Sequence, residues 1–168
     1  MAVPLKLDFK NGEKMIINAV VIENVGPTAK LLIRNRANIL REKEILSEED
    51  AATPSARVYF SLQCAYMFPD GQDDHLEKFE SFLDEYLKAC PSAEEIGTDI
   101  RTHVKEGELY RALKLARKLI AHEMEVLTEF NESLKVRLEE VIETSENEEE
   151  FDGDIEALGS DLREYMKD

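Results

Sequence analysis

Two rhythms divide the chain. In the first 46 residues apolar positions alternate with polar ones; beyond them they recur every three or four residues. In LKLDF, Leu5, Leu7 and Phe9 share one face and Lys6 and Asp8 the other, the pattern of a half-buried strand. Asn11–Gly12 follows, a pair suited to a type I′ hairpin turn, whose two central residues need positive φ. Lys14–Ile17 reads as the return strand, and Asn18 permits a bend. Ala19–Val25, rich in Val and Ile, makes a third strand that Gly26–Pro27 breaks. Ala29–Ile33 makes a fourth. The stretch NILREKEIL (Asn38–Leu46) is ambiguous. As a strand it places Ile39, Arg41, Lys43 and Ile45 on one face and Leu40, Glu42, Glu44 and Leu46 on the other. As a helix it gathers Ile39, Glu42, Lys43 and Leu46, and its composition favours that by propensity. Its place after four short strands and before two helix-start signals favours a fifth strand.

The remainder reads as helices. SEED (Ser47–Asp50) has capping-box spacing. Thr53–Pro54 is a second start, Thr as N-cap and Pro at the first helical position. Val58, Leu62 and Ala65 then recur at helical spacing, with Tyr59 and Tyr66 beside them. RVYFSLQCAYMF is apolar almost all round, so it is either buried on all sides or meets a partner. Pro69–Gly71 ends this helix. Asp73 is placed to cap the next, with Leu76, Phe79, Leu83, Tyr86 and Leu87 on one face. After Pro91, Ser92 and Glu95 form a capping box for a third helix ending at Gly107. A fourth runs from Glu108, with a stripe of Leu109, Ala112, Leu113, Ala116, Leu119, Ile120 and Leu127, bent or broken near Asn131 and reaching about Thr144. The fold class expected is therefore α+β: a β-meander of four to five short antiparallel strands (1–46), then a bundle of about four helices (47–145) packed on it. Residues 146–168 form an acidic tail, disordered or, on the spacing of Ile155, Leu158, Leu162 and Met166, a short helix.

Charge changes this picture in one place. The 168 residues carry 21 basic and 37 acidic side chains, a net charge of −16, which by itself argues against a nucleic-acid partner. The charge is uneven, however. Residues 1–46 hold eight basic and five acidic side chains, a net +3; residues 146–168 hold ten acids against Arg163 and Lys167, a net −8; the middle carries the remaining −11. The N-terminal segment is the one basic part of an acidic chain. Lys30, Arg34, Arg36, Arg41 and Lys43 cluster around its last turn, with Lys10 near the first. Such side chains along a strand edge can follow a phosphate backbone, or can simply keep an edge strand soluble. A second basic set, Arg111, Lys114, Arg117 and Lys118, lies at helical spacing in the fourth helix. It is either a solvated face screened by Glu108 and Glu123 or a secondary anion-facing surface.

Other chemistries are not signalled. His75, His103 and His122 are far apart in sequence and lack metal-ligand spacing. Cys64 and Cys90 lie in apolar, helix-like surroundings, as buried thiols do in a reducing compartment. No glycine-rich phosphate loop, nucleophile elbow or framed carboxylate pair occurs, so neither catalysis nor a cofactor is expected. The first residues lack a basic start with a continuous apolar run, and no window approaches 18 uninterrupted apolar residues. A cytoplasmic protein without membrane contact is expected.

LKLDFKNGEKMIINAVVIENV, NRANILREKEIL, ATPSARVYFSLQCAYMF and LYRALKLARKLIAHEMEVL together resemble the FlbT family of flagellum-biosynthesis regulators, in order from about Leu5 to Leu127. The resemblance implies post-transcriptional control of flagellin production in alphaproteobacteria. The family associates with the 5′ untranslated leader of flagellin mRNA and promotes its decay, with an activating effect in some lineages, and often works with the small regulator FlaF. It implies no catalytic residues. The first 46 residues also resemble, more narrowly, the carbon storage regulator CsrA, a five-stranded mRNA-binding dimer. That likeness maps its RNA-contacting strand ends onto Leu7, Phe9 and Lys10 and onto Arg41, with Phe9 standing where that family has an arginine. The function expected is a regulator binding a flagellin mRNA leader through Lys10, Lys30, Arg34, Arg36, Arg41 and Lys43. The alternative is a protein-interaction module that meets flagellin or FlaF through its acidic helical region. Forty-six residues of sheet are marginal alone, so packing on the helices, on a second copy, or both is required, and a homo-oligomer is expected.

Overall fold

In the computed structural model, which describes residues 3–165 with side chains through Thr144, five strands precede four helices. The strands are β1 (Leu5–Phe9), β2 (Lys14–Ile17), β3 (Val20–Glu23), β4 (Ala29–Ile33) and β5 (Ile39–Arg41). The α+β class and the antiparallel pairing are those expected. The strand order departs from a simple meander: β1 pairs with β4, while β3, β2 and β5 make a separate three-stranded sheet in that order. Asn11–Gly12 therefore turns the chain without pairing β1 to β2. Gly12 has φ of 73°, but its N–H donates to the carbonyl of Asn24 (2.7 Å), extending the β2–β3 ladder instead. The tight hairpin turn sits at Asn18–Ala19, where both residues have positive φ, 48° and 68°. That is the type I′ signature on a pair whose second residue, Ala, gave no hairpin signal.

Asn24 ties the two sheets. Its side-chain amide donates to the carbonyls of Phe9 (2.8 Å) and Pro27 (2.9 Å), and its Oδ1 accepts from the Gly26 N–H (2.9 Å). One side chain thus replaces the ladder that a direct β1–β2 hairpin would have supplied.

The helices are α1 (Pro54–Met67), α2 (Gln72–Ala89), α3 (Glu94–Lys105) and α4 (Leu109–Tyr165). Of the two start signals, SEED makes only a turn: Ser47 Oγ binds the Asp50 carboxylate (2.6 Å) and accepts from the Asp50 N–H (3.2 Å). Thr53–Pro54 starts α1, with Thr53 Oγ1 accepting from the Ala56 N–H (3.3 Å). Only Pro54 and Arg57 of α1 are exposed, so its all-round apolar surface is accounted for by burial. The expected caps at Asp73 and Ser92 are not made. α2 begins after Gly71, and α3 follows a short 3-10 turn, Pro91–Ala93, without a side-chain cap. Ser92 Oγ instead lies 3.1 Å from His122 Nε2 on α4. Gly97 lets α3 lie close against α2, since a Cβ there would come within 2.7 Å of Leu87 Cδ1. α4 is continuous through Asn131; asparagine costs a helix only a fraction of a kcal/mol relative to alanine, ~0.7 at most, and breaks nothing. The helix runs on through the acidic stretch to Tyr165. Met166, the last apolar position of the tail pattern, lies outside the described residues.

The chain divides into two units, Met1–Glu123 and Met124–Asp168. The first holds the core, in which Val58, Leu62, Phe79, Leu83, Ile100, Leu113 and Leu119 are buried. Leu40 of β5 belongs to the same cluster, with Ile16, Ile45 and Leu46 packed on it, so the β region completes its burial on the helices. The second unit is described by α4 alone, and no helix among the described residues is long and apolar enough to cross a membrane.

At the head of α1 stands a buried carboxylate. Glu123 Oε2 accepts from Ser55 Oγ (2.5 Å) and Oε1 from the Ser55 N–H (3.2 Å). An anion here satisfies an N–H that the first helical turn leaves open and complements the helix dipole. Glu123→Ala strands a buried hydroxyl and a buried N–H, and we expect a loss of about 2 kcal/mol in denaturant unfolding. Glu123→Gln, which keeps one acceptor, should lose less.

Candidate nucleic-acid interface

The candidate site is organised by α1. Tyr59, Gln63 and Tyr66 lie four and three residues apart on one helix face, and all three hold the backbone of the Asn38–Leu46 segment. Tyr59 Oη donates to the carbonyl of Glu44 (2.5 Å). Gln63 accepts from the Leu46 N–H (2.8 Å) and donates to the Leu46 carbonyl (2.9 Å). Tyr66 Oη accepts from the Ile39 N–H (3.1 Å), and its own carbonyl accepts from Asn38 Nδ2 (2.8 Å).

Held in this way, NILREKEIL is neither a full strand nor a helix. It is a three-residue strand, Ile39–Arg41, followed by a 3-10 turn, Glu42–Glu44. The alternation expected through Ile45 is broken after Arg41, because the Arg41 N–H donates to the Glu44 carboxylate (2.9 Å) rather than to a neighbouring strand. Arg41 and Lys43 consequently do not share a strand face. Arg41 is half-buried and turned into the fold: its Nε (2.9 Å) and Nη2 (2.5 Å) bind Glu13 Oε1, and Nη2 also binds the carbonyl of Asp8 (2.9 Å). It clamps the β1–β2 turn. Lys43 is exposed.

Three adjoining surface recesses join the two basic sets. Lys10, Glu13, Arg41 and Lys43 line the first, with Asp8. Lys43 also lines the second, with Tyr59, Tyr110, Lys114 and Arg117. Tyr110 passes into the third, with Arg36, Asn38, Tyr66 and Arg111. Cations from the β region and from α4, about 70 residues apart in sequence, thus fall along one strip. Arg117 reaches across it, its Nη2 donating to the Lys43 carbonyl and its guanidinium carbon 5.9 Å from the centre of the Tyr59 ring. Lys114 Nζ lies 4.6 Å from the centre of the Tyr110 ring. The Tyr66 and Tyr110 rings are 5.7 Å apart at 34°. Among the described residues no ion pair holds Arg36, Lys43 or Lys114. Lys30 and Arg34, in and after β4, and Lys118 on α4 are exposed but line none of the three recesses.

Acids share the strip: Asp8, Glu13 and Glu42 in the first recess, Glu108 in the third and Glu44 in the second. Glu44 Oε1 accepts from Tyr110 Oη (2.8 Å) while Oε2 accepts from the Arg41 N–H. Burial, then this hydrogen bond, pushes the Tyr110 hydroxyl up to about 12, so the tyrosines of the strip are neutral at physiological pH and present uncharged rings to an anionic chain.

Two side-chain groupings escaped the sequence patterns. At the α3–α4 turn His103, Glu106 and Glu108 bring three metal-ligand-type atoms within 4.8 Å of one another. They already pair with each other and with Arg111: His103 Nδ1 lies 2.8 Å from Glu108 Oε2, and Arg111 2.9 Å from Glu108 Oε1. The hydrogen bond from His103, then that from Arg111, holds the Glu108 carboxyl below its usual range. Elsewhere His122 Nδ1 lies 3.2 Å from Tyr86 Oη and 3.8 Å from the free thiol of Cys90. Only tertiary packing brings these groups together. Cys64 is also a free thiol, pushed up by burial.

The clamp carries a pH signature. The Glu13 carboxyl is held below its usual range by the Lys10 N–H first and the Arg41 side chain second. With its folded pKa depressed, the contribution of Glu13 to stability is fully present above the unfolded carboxylate pKa and is lost as pH falls through the folded value. An NMR titration should find Glu13 titrating below the ordinary glutamates of the chain, and Arg41→Ala should return it part of the way towards them.

The family model described as Flagellar protein FlbT matches residues 5–127, the span over which the sequence motifs run. The chain is 37% identical over 123 residues to the probable flagellum biosynthesis repressor protein FlbT of Caulobacter sp. strain K31, covering 71% of this chain and 93% of that one. It is 36% identical over 126 residues to the flagellum biosynthesis repressor protein FlbT of Caulobacter vibrioides, covering 74% and 89%. It is 42% identical over 120 residues to the probable flagellum biosynthesis repressor protein FlbT 1 of Bradyrhizobium diazoefficiens, covering 71% and 82%. No solved structure matches. The chain belongs to the FlbT family of flagellar proteins.

Proposed function

We propose that the chain is a cytoplasmic repressor of flagellum biosynthesis that acts on the 5′ untranslated leader of a flagellin mRNA, binding it as a single strand along the strip of three recesses. One observation carries this reading. In a chain of net charge −16, Arg36, Lys43, Arg111, Lys114 and Arg117 from separate elements line the two recesses that hold the tilted Tyr66–Tyr110 pair, and Lys10 lines the adjoining one. Single-stranded RNA is gripped by this combination, cations along the phosphates and flat rings for unstacked bases. Lys43 and Lys114 serve as the central phosphate contacts. Arg36 and Arg111 flank the ring pair, and Arg41 shapes the recess from within by fixing the β1–β2 turn. The chemistry is binding without catalysis, and repression follows from what the bound leader is then exposed to or denied.

A second reading has its own support. Asp73, Asp74, Glu77, Asp84, Glu85, Glu94, Glu95 and Asp99 are all exposed on α2 and α3, an acidic surface suited to a basic segment of a protein partner such as flagellin or FlaF. In that case the effect on mRNA is indirect.

Salt separates the two. Binding of leader RNA by the purified protein should weaken with salt, with a log–log slope of about −0.7 per phosphate contact. Lys43→Ala with Lys114→Ala should flatten the slope by about 1.4. Both residues are exposed, so the fold is expected to survive. Arg41→Ala should instead lower thermal stability. A protein that fails to retain the leader at physiological salt, or a slope indifferent to Lys43 and Lys114, removes the RNA strip and leaves the acidic surface as the site to pursue.

A further inference from the structure

Beyond Glu123, α4 carries a second apolar pattern, unrelated to the strip. Met124, Leu127, Leu134, Leu138 and Val141 are between 39% and 64% exposed. With Asn131 they are spaced alternately by three and four residues, the a and d positions of a heptad repeat: Met124, Asn131 and Leu138 at a, and Leu127, Leu134 and Val141 at d. The stripe spans 18 residues of continuous helix, about 27 Å at 1.5 Å per residue. In sequence the next two positions of the repeat are Ser145 and Glu148, where the apolar run stops.

We propose that this stripe is the interface of a parallel, in-register, two-stranded coiled coil formed with a second copy of the chain. Asn131 identifies both the occupant and the direction. A polar residue buried in an apolar seam must find a hydrogen-bond partner. In a parallel pair each a residue faces its own counterpart, so Asn131 meets Asn131 of the second copy, amide to amide. In an antiparallel pair a faces d, and Asn131 would lie against a leucine or valine. A single asparagine at a is the usual device that fixes register and two-strandedness at some expense of stability. Charge agrees. In the parallel pairing each g residue lies beside the e residue five positions on in the other helix. Phe130 then meets Lys135, and Arg137 meets Ile142 of the second copy, so no like charges oppose one another. The acids Glu125, Glu132, Glu139 and Glu140 occupy the outward b and c positions, which lets two chains of charge −16 approach along this line. Met124 and Leu127 are the last stripe positions inside the family match, which ends at residue 127; Asn131, Leu134, Leu138 and Val141 lie beyond it.

The test is the mass of the full chain by analytical ultracentrifugation over a dilution series. A dimer, twice 19.2 kDa, that dissociates on dilution is expected. Leu134→Glu with Leu138→Glu should halve the mass; both positions are exposed in the single chain, so its fold is not at risk. Glu125→Lys with Glu132→Lys, on the outer face, should leave the dimer intact. Asn131→Cys should oxidise to a disulfide-linked dimer on a non-reducing gel, and Glu132→Cys should not. A chain that is monomeric at every concentration, or a dimer indifferent to the double leucine substitution, overturns the proposal. So does a cross-link that forms as readily from Glu132→Cys as from Asn131→Cys, because that pairing is not in register.

Discussion

The side-chain amide of Gln63, closing two hydrogen bonds with the backbone of Leu46, is the fastening on which the candidate site depends. A three-residue strand satisfies few of its own backbone groups, and the segment after it cannot extend the ladder. An amide presents a donor and an acceptor side by side and so stands in for a neighbouring strand. With Tyr59 and Tyr66 on the same face of α1, it turns a buried helix into a template for the Asn38–Leu46 segment. Leu40 then reaches the main core, Glu44 lies between Tyr110 and Arg41, and Lys43 is left facing outward beside α4.

The charges of this region divide into two kinds, and the division follows from geometry. Arg41 and Glu13 form a part-buried pair that shapes the turn; its fork-like guanidinium can meet a carboxylate and a carbonyl together. Lys43 and Lys114 are point charges on flexible stems, without an anionic partner among the described residues. Arg117 is intermediate, anchored on a backbone carbonyl while lying over the Tyr59 ring. The basic character of the N-terminal segment therefore serves the fold at one position and the surface at others, a distinction that net charge does not make.

Where local signals competed, tertiary context chose between them. Ser47–Asp50 and Thr53–Pro54 both offer helix starts, but only the second is followed at once by residues whose whole circumference can be buried. Its first turn also receives the Glu123 carboxylate from α4. Asn11–Gly12 is the better hairpin dipeptide, yet the hairpin turn forms at Asn18–Ala19. The β2–β3 pair, with β5 on its other side, buries Met15 completely and tolerates the left-handed strain at Ala19. Ser92 surrendered its cap to a contact with His122.

The alternation of Leu5 to Phe9, the Val- and Ile-rich third segment, the Thr53–Pro54 start and the helical stripes from Val58 to Leu119 determined four to five strands, about four helices and most of the core. Those signals are local, and burial rewards them wherever the elements pack. The strand pairing, the clamp role of Arg41 and the meeting of Arg36 and Lys43 with Arg111, Lys114 and Arg117 were decided only by tertiary structure. Each depends on contacts between residues far apart in the chain, and one-dimensional spacing cannot say which of two exposed cations a distant carboxylate will claim.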